Sequence, residues 1–373
     1  MHVHVLIDGL GHGGAETLLA DYAEGAREVG IEVTVGYLAD RTDSVPRLRA
    51  AGVEPELVPV ESLLRGRDRA LVRDHLRRVA PDVLHTHLGY ADLLGGLAAR
   101  SLGTPAVSTV HVMDWGGGPA RERGKERLMF FARRHLAATV VTVSEAARRR
   151  YLQTGWDDPD HVVTAHNGIV ARVPAGGAGI RAELGIAAEA PMVAMVAVLR
   201  AGKGHDIAAA AVRALLPRFP DLRLLVLGDG PERAAIEAEL APAGEAVAMA
   251  GFRDDVLAVL GEVDVLVHPT RFDAFPTALL EALATSTPVV ATAVGGVPEI
   301  VAEGEQGLLI PAPPRAEDLA AALGRVLTDR EEARRMGERG RRTFEAEFTA
   351  ARWLERLVPI YERAIARRRE KLG

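Results

Sequence analysis

Two carboxylates eight positions apart, Asp273 and Glu281, stand in the stretch 268–300. Phe275-Pro276-Thr277 lies between them and reads as a helix start, since proline is favoured in a first helical turn, where its missing N–H has no partner to lose. Residues 278–284 continue with helix-forming composition, beginning at Ala278. A helix N-terminus presents unpaired backbone N–H groups and a partial positive charge, which suits a phosphate. The stretch therefore reads as an anion site with an acid on either side for the hydroxyl-rich parts of a ligand. Such chemistry suits a nucleotide-sugar. The plainer reading is a surface helix whose acids are merely solvated.

Other groups stand at the ends of apolar runs. Arg200-Ala-Gly-Lys203-Gly204 follows one run and offers two cations and two glycines to a phosphate or diphosphate. Lys acts there as a point charge and Arg as a bidentate fork; the alternative is a solvated basic turn. Gly228-Asp-Gly-Pro231 and Gly251-Phe252-Arg-Asp254 follow the next two runs, as pocket walls or as simple turns. Near the N-terminus, Gly9-x-Gly11-x-x-Gly14 has the spacing of a dinucleotide fingerprint, with Asp40 as its candidate ribose acid. Any tight strand-to-helix turn over an anion needs similar glycines, so a redox cofactor and a plain anion turn both stay open. His85-Thr-His87 puts two imidazoles on one strand face. They are a metal pair lacking an obvious third ligand, or polar residues at a strand end where α/β sites gather. His111, with Asp114 nearby, stands at another such end.

These groups need strand ends to hold them, and the chain supplies two series. Strands are expected at 3–7, 31–38, 81–87, 105–110, 139–143 and 161–165, with helical stretches between them, one capped by Ser144. A glycine-rich segment at 173–179 reads as a linker. Strands then resume at 192–199, 222–227, 246–250, 263–268, 288–292 and 307–310. Alternating strands and helices imply parallel sheets, and 373 residues exceed what one core usually holds. The fold class is α/β, with two tandem Rossmann-like domains. The boundaries expected are 1–172, a linker 173–190, a second domain 191–352 and a terminal helix 353–373.

Composition narrows the function. Net charge of −6 disfavours nucleic acid. The absence of cysteine excludes disulfides and thiolate metal sites. No apolar run is long enough to span a bilayer, and the first residues read as a strand rather than a signal peptide. A cytoplasmic location fits. Two arginine-rich runs, at 65–78 and 121–150, read as solvated faces, or as a patch for peripheral contact with an anionic membrane surface or an anionic acceptor.

Taken in order, the motifs resemble the GT-B glycosyltransferases of family 4, the retaining, nucleotide-sugar-dependent group. The resemblance covers nearly the whole chain. It rests on Gly11-His-Gly-Gly14-Ala-Glu16, His85-Thr-His87, Ser108-Thr-Val-His111, Val143-Ser-Glu145, His166-Asn-Gly-Ile169, Lys203-Gly204, Gly228-Asp-Gly-Pro-Glu232, Gly251-Phe252, Asp273 to Glu281, and Gly295-Gly-Val-Pro-Glu299. It implies two facing domains, donor mainly on the second and acceptor mainly on the first, with the last helix crossing back to the first. Glu281 would hold the donor ribose and Asp273 the transferred sugar. Backbone N–H groups near Phe275, Pro276, Thr277 and Ala278 would serve sugar and diphosphate, with Gly228 and Phe252 beside the nucleotide. Lys203 would neutralise the diphosphate, Gly13 and Gly14 would approach it, and His111 would lie near the reacting carbon. No metal or other cofactor is implied, the nucleotide-sugar being a substrate; the acceptor is a hydroxyl compound of unspecified identity. The family usually has Glu where Asp273 stands, and Arg where Val198 stands; Arg200 is a candidate replacement for the latter. A nucleotide-sugar epimerase of the same form and an NAD(P)-dependent oxidoreductase are the competing classes.

Overall fold

The computed structural model describes residues 1–11, 13–62, 65–111, 120–173 and 177–370. They form two compact units, Met1–Val170 with Phe348–Gly373, and Ala171–Glu347. The first unit has strands β1 (His2–Ile7), β2 (Glu32–Tyr37), β3 (Glu56–Leu57), β4 (Val83–His87), β5 (Ala106–Val110), β6 (Thr139–Thr142) and β7 (Val162–Thr164). All are parallel, in the order β3-β2-β1-β4-β5-β6-β7. The second unit has β8 (Met192–Val196), β9 (Arg223–Leu227), β10 (Val247–Gly251), β11 (Val265–His268), β12 (Val289–Thr292) and β13 (Gly307–Ile310), also parallel, in the order β10-β9-β8-β11-β12-β13. Each is a doubly wound sheet. Its connections leave the central pair in opposite directions, opening a crevice at the strands' carboxyl ends. Those ends are β1 and β4 in one unit, and β8 and β11 in the other.

Local sequence explains most of these elements. Val-rich strands such as β12 are buried along their whole length and lack polar alternation, as strands covered on both faces must. The Ser144 hydroxyl oxygen accepts from the Ala147 N–H at 3.0 Å and starts Glu145–Leu152 as a helix. The short helix Val45–Ala50 and the two-residue β3 were not anticipated, because neither is long enough to show a period.

The chain's last segment belongs to the first unit, and the helix there, Ala350–Glu370, begins three residues before the expected 353. Trp353 and Tyr361 are buried, and the Tyr361 and Tyr22 hydroxyls lie 2.8 Å apart. Ile169 N–H donates to the Phe348 carbonyl and Ala350 N–H to that of Ile169, both at 3.0 Å. A Cβ on Gly168 would sit 2.2 Å from the Thr349 carbonyl oxygen, so His166-Asn-Gly-Ile169 is the seam where the returning segment joins. The helix Gly14–Glu28 approaches Ala350–Glu370 through Gly25, whose added Cβ would lie 2.7 Å from the Ala350 backbone. Gly25→Ala should therefore destabilise the first unit by about 1–3 kcal/mol, read as a lower urea midpoint. Gly14→Ala, whose methyl meets nothing within 4 Å, should leave that midpoint in place.

Candidate functional site

In the second unit three strand exits are drawn together by close backbone contact. Gly204, after β8, has φ +85°, and a Cβ there would lie 2.1 Å from the Pro269 carbonyl oxygen after β11. A Cβ on Gly228, after β9, would lie 2.0 Å from the Ala197 oxygen. Only glycine allows either approach. Leu199 N–H donates to the Asp229 carbonyl at 3.1 Å and Arg271 N–H to that of Gly202 at 2.8 Å. The result is an ion pair between two strand exits: Lys203 Nζ lies 2.6 Å from Asp273 Oδ2. Burial alone would raise the Asp273 pKa; contact with His268 and the charge of Lys203 outweigh it and hold the carboxyl well below the usual range. His268 Nε2 is 3.4 Å from the same oxygen, too poorly aligned for a hydrogen bond. Lys203 and Asp273, expected to face separate parts of a ligand, face each other.

The helix expected beside them spans Thr277–Ala284 with Pro276 at its N-cap, and among the described residues no side chain caps it. Its first N–H groups are therefore available to an anion. Phe275, Pro276 and Ala278 are buried, Thr277 is half-buried, and Glu281 stands half-buried one turn further on. The helix is seated from behind. Gly337 lies so close to its C-terminal turn that a Cβ would fall 1.9 Å from the Ser286 oxygen. Gly296 N–H donates to the Asp273 carbonyl at 3.3 Å, drawing the Gly295-Gly-Val-Pro-Glu299 turn to the same place. Arg200 is exposed, and its guanidinium has no partner among the described residues; Val198 is exposed too. Phe252, at the exit of β10, presents half its surface to solvent.

In the first unit a cavity of about 330 Å³ opens at the exits of β1, β4 and β5, lined among others by Asp8, Leu88, Tyr90, His111, Lys125 and Arg133. Asp8 caps the helix Gly89–Leu102, accepting from Tyr90 N–H at 3.2 Å and Ala91 N–H at 2.7 Å. Burial pushes the Asp8 pKa up to about 7 against the pull of those two donors. Leu88, before that helix, has φ +73° and ψ 171°, a strained conformation for a non-glycine residue. His111 stands at the β5 exit with Nε2 2.7 Å from His87 Nδ1, the rings stacked with centroids 5.0 Å apart. Burial, then the Arg133 charge, lower the His111 pKa to about 4, and burial lowers that of His87 too. Both rings are neutral near pH 7. Asp114 lies outside the described residues. His85 spends both ring nitrogens, one 2.7 Å from the Thr109 hydroxyl and one 2.7 Å from that of Tyr361. Neither is free for a metal, which removes the metal-pair reading of His85 and His87.

The glycine turn after β1 is braced by the segment following β2. Leu10 N–H donates to the Arg41 carbonyl at 2.9 Å and the Ser44 hydroxyl to that of Gly11 at 2.7 Å. Gly13 is the N-cap of Gly14–Glu28 and faces the Glu16 carboxylate, which a Cβ would strike at 2.1 Å. Space beside Gly14 is open, so the fold does not require glycine there. Asp40 is exposed.

Sequence reasoning missed Asp8, Asp92 and Arg133 as site residues. Arg133 was grouped with a solvated basic face. It is buried instead, its Nε 2.7 Å from Asp92 Oδ2, while Asp92 Oδ1 accepts from Thr86 and Ser108. The available signal was Asp92 itself, a lone acid in an apolar helical stretch. Much of the 65–78 run is also neutralised, Arg65 pairing with Glu61, Arg73 and Arg77 with Asp74, and Arg78 with Glu56. The side chains of Arg121 and Arg123 lie outside the described set. No helix among the described residues is long and apolar enough to cross a membrane.

Comparison with known proteins agrees with this architecture. The family model described as glycosyl transferases group 1 matches residues 178–343, and that of glycosyltransferase family 4 matches residues 12–172. The chain belongs to this glycosyltransferase family and is a glycosyltransferase with the two Rossmann-like domains of the GT-B fold. It is 32% identical over 77% of its length to 80% of an alpha-maltose-1-phosphate synthase of Mycolicibacterium smegmatis. It is 30% identical over 76% of its length to 70% of a D-inositol 3-phosphate glycosyltransferase of Saccharomonospora viridis. Among solved structures, Anabaena HepE in complex with UDP-glucose shares the fold, with a TM-score of 0.82 and 21% identity over 97% of this chain and 99% of that one. Membership sets aside the redox reading of the glycine turn.

The cavity makes one prediction about pH. Asp8 binds its proton more tightly when folded (to about 7) than at its ordinary 3.8, so its contribution to stability falls as pH rises through that window. Asp8→Asn removes the titration. Its melting temperature should gain on wild type between pH 5 and pH 8; a constant difference would contradict the raised pKa of Asp8.

Proposed function

We propose that the protein is a retaining glycosyltransferase that moves a sugar from a nucleotide-diphosphate donor, a UDP-sugar by preference and a GDP-sugar as the alternative, to a hydroxyl of a small polar acceptor. The observation that carries this reading is the cluster at the exits of β8 and β11. A cation, a carboxylate, an uncapped helix start and a second carboxylate one turn on lie on adjacent elements of one unit. Glu281 holds the ribose hydroxyls, Asp273 the sugar hydroxyls, and Phe252 offers a ring to the base. Lys203 and the Thr277 and Ala278 N–H groups stabilise negative charge on the departing diphosphate. Arg200 stands free to assist. A donor of this kind is typically worth about 3–4 kcal/mol of barrier.

The sugar–diphosphate bond breaks with positive charge growing on the sugar. The acceptor hydroxyl attacks from the face the diphosphate leaves, and its proton passes to the leaving phosphate, so configuration is kept and no residue is needed as covalent nucleophile. The first-unit cavity, with Asp8, His111 and Tyr90 in its wall, is the acceptor site in this reading. Its size suits a mono- or disaccharide-sized polyol. Two relatives are named for glycosylating D-inositol 3-phosphate and 2-deoxystreptamine, which supports a compact polar acceptor.

A thermal-shift screen of UDP-, GDP- and ADP-sugars tests the donor. Ligand at a hundred times its dissociation constant stabilises by about 2.7 kcal/mol, and no shift with any donor would end this reading. Conversion of the donor without acceptor would indicate an epimerase instead. Lys203→Ala should lower kcat by about 10²–10³-fold. Glu281→Ala should weaken binding of the free nucleotide. Anomeric configuration of the product, read by NMR, decides retention.

A further inference from the structure

We propose that His268 is a positioning residue for the donor sugar: it takes hold of the Asp273 carboxylate when Lys203 turns to the diphosphate. This rests on the reading above, in which Lys203 serves the phosphates and Asp273 the sugar. In the structure the two are bonded to each other at 2.6 Å, each side chain 15% exposed. A Lys203 drawn fully to the diphosphate would loosen that bond. A buried carboxylate deprived of its cation is strongly disfavoured, so an arrangement that frees Lys203 needs a second partner for Asp273.

His268 is placed to be that partner. It is the last residue of β11, five positions before Asp273, and is 3% exposed. Its Nε2 stands 3.4 Å from Asp273 Oδ2, the oxygen that Lys203 holds. Both its ring nitrogens are buried and make no hydrogen bond with the described residues. Buried polar atoms are rarely left so, and the Asp273 carboxylate is the acceptor that stands beside one of them. A small rotation of the Asp273 side chain brings the carboxylate into range. The main chain need not move. Gly296 N–H holds the Asp273 carbonyl at 3.3 Å, and the Thr270 hydroxyl ties the Phe272 carbonyl at 3.0 Å. Asp273 thus exchanges one partner for another on a fixed loop. Its carboxylate stays ionised and aimed, and Lys203 is released.

The test compares His268→Phe, which keeps a ring of similar volume without an N–H, with His268→Asn, which keeps an N–H donor. The probes are UDP, and UDP-glucose or UDP-N-acetylglucosamine, whichever the wild-type chain turns over. His268→Phe should bind UDP within twofold of wild type, since the nucleotide does not meet Asp273. Its kcat should fall at least tenfold and its preference between donor sugars should narrow. His268→Asn should recover most of both losses. A phenylalanine variant with wild-type kcat and donor preference overturns the proposal. So does equal loss in both variants together with loss of UDP affinity, which marks a packing role. His268→Leu serves if the phenylalanine variant does not fold. Failure of the wild-type chain to bind any nucleotide-sugar overturns the donor reading itself, and this inference with it.

Discussion

The ion pair of Lys203 and Asp273 exists because Gly204 has no side chain. Any Cβ there would strike the carbonyl of Pro269, and the loops after β8 and β11 would be forced apart. With glycine, a cation and an anion from opposite sides of the sheet's central crevice meet in a half-buried place. The same device recurs at Gly228 against Ala197. Backbone contact is rigid where side-chain contact is not, so the polar groups are held by main chain rather than by one another. Seated against Gly337, the helix Thr277–Ala284 then adds its N-terminal N–H groups to a surface already fixed.

The first unit uses a different electrostatic plan. Beside Lys125, its cavity wall holds several groups kept neutral or internally paired. His85 and His111 lose their protons through burial, Asp8 is held near half-protonation at neutral pH, and Arg133 is matched by Asp92. The His87–His111 hydrogen bond fixes which ring nitrogen of His111 is engaged and hence how the ring lies.

What could be read in the sequence was local or periodic. Apolar runs of strand length, glycines at their ends, Ser144 as a cap and Pro276 at a helix start all carry their meaning within a few residues. They sufficed for twelve of the thirteen strands and for the helix between Asp273 and Glu281. The edge strand β3 escaped because two residues have no pattern. Side-chain partnerships escaped for another reason. Asp8 bonds to residues 90 and 91, Arg133 to residue 92 and Lys203 to residue 273, and no spacing rule links such pairs. The burial of His85 and His87 was likewise illegible, because their type suggests a surface while their partners sit on β5, at its exit and on the final helix.

Tyr22 and Tyr361 meet although 339 positions separate them. On the ribosome this order matters. The second unit, one continuous stretch, has all its strands before the final helix exists. The first unit is begun first but must wait for the helix Ala350–Glu370 to close over Tyr22 and His85, so synthesis order and completion order are reversed. A chain lacking the helix Ala350–Glu370 would keep the whole second unit and carry an open seam along the helix Gly14–Glu28.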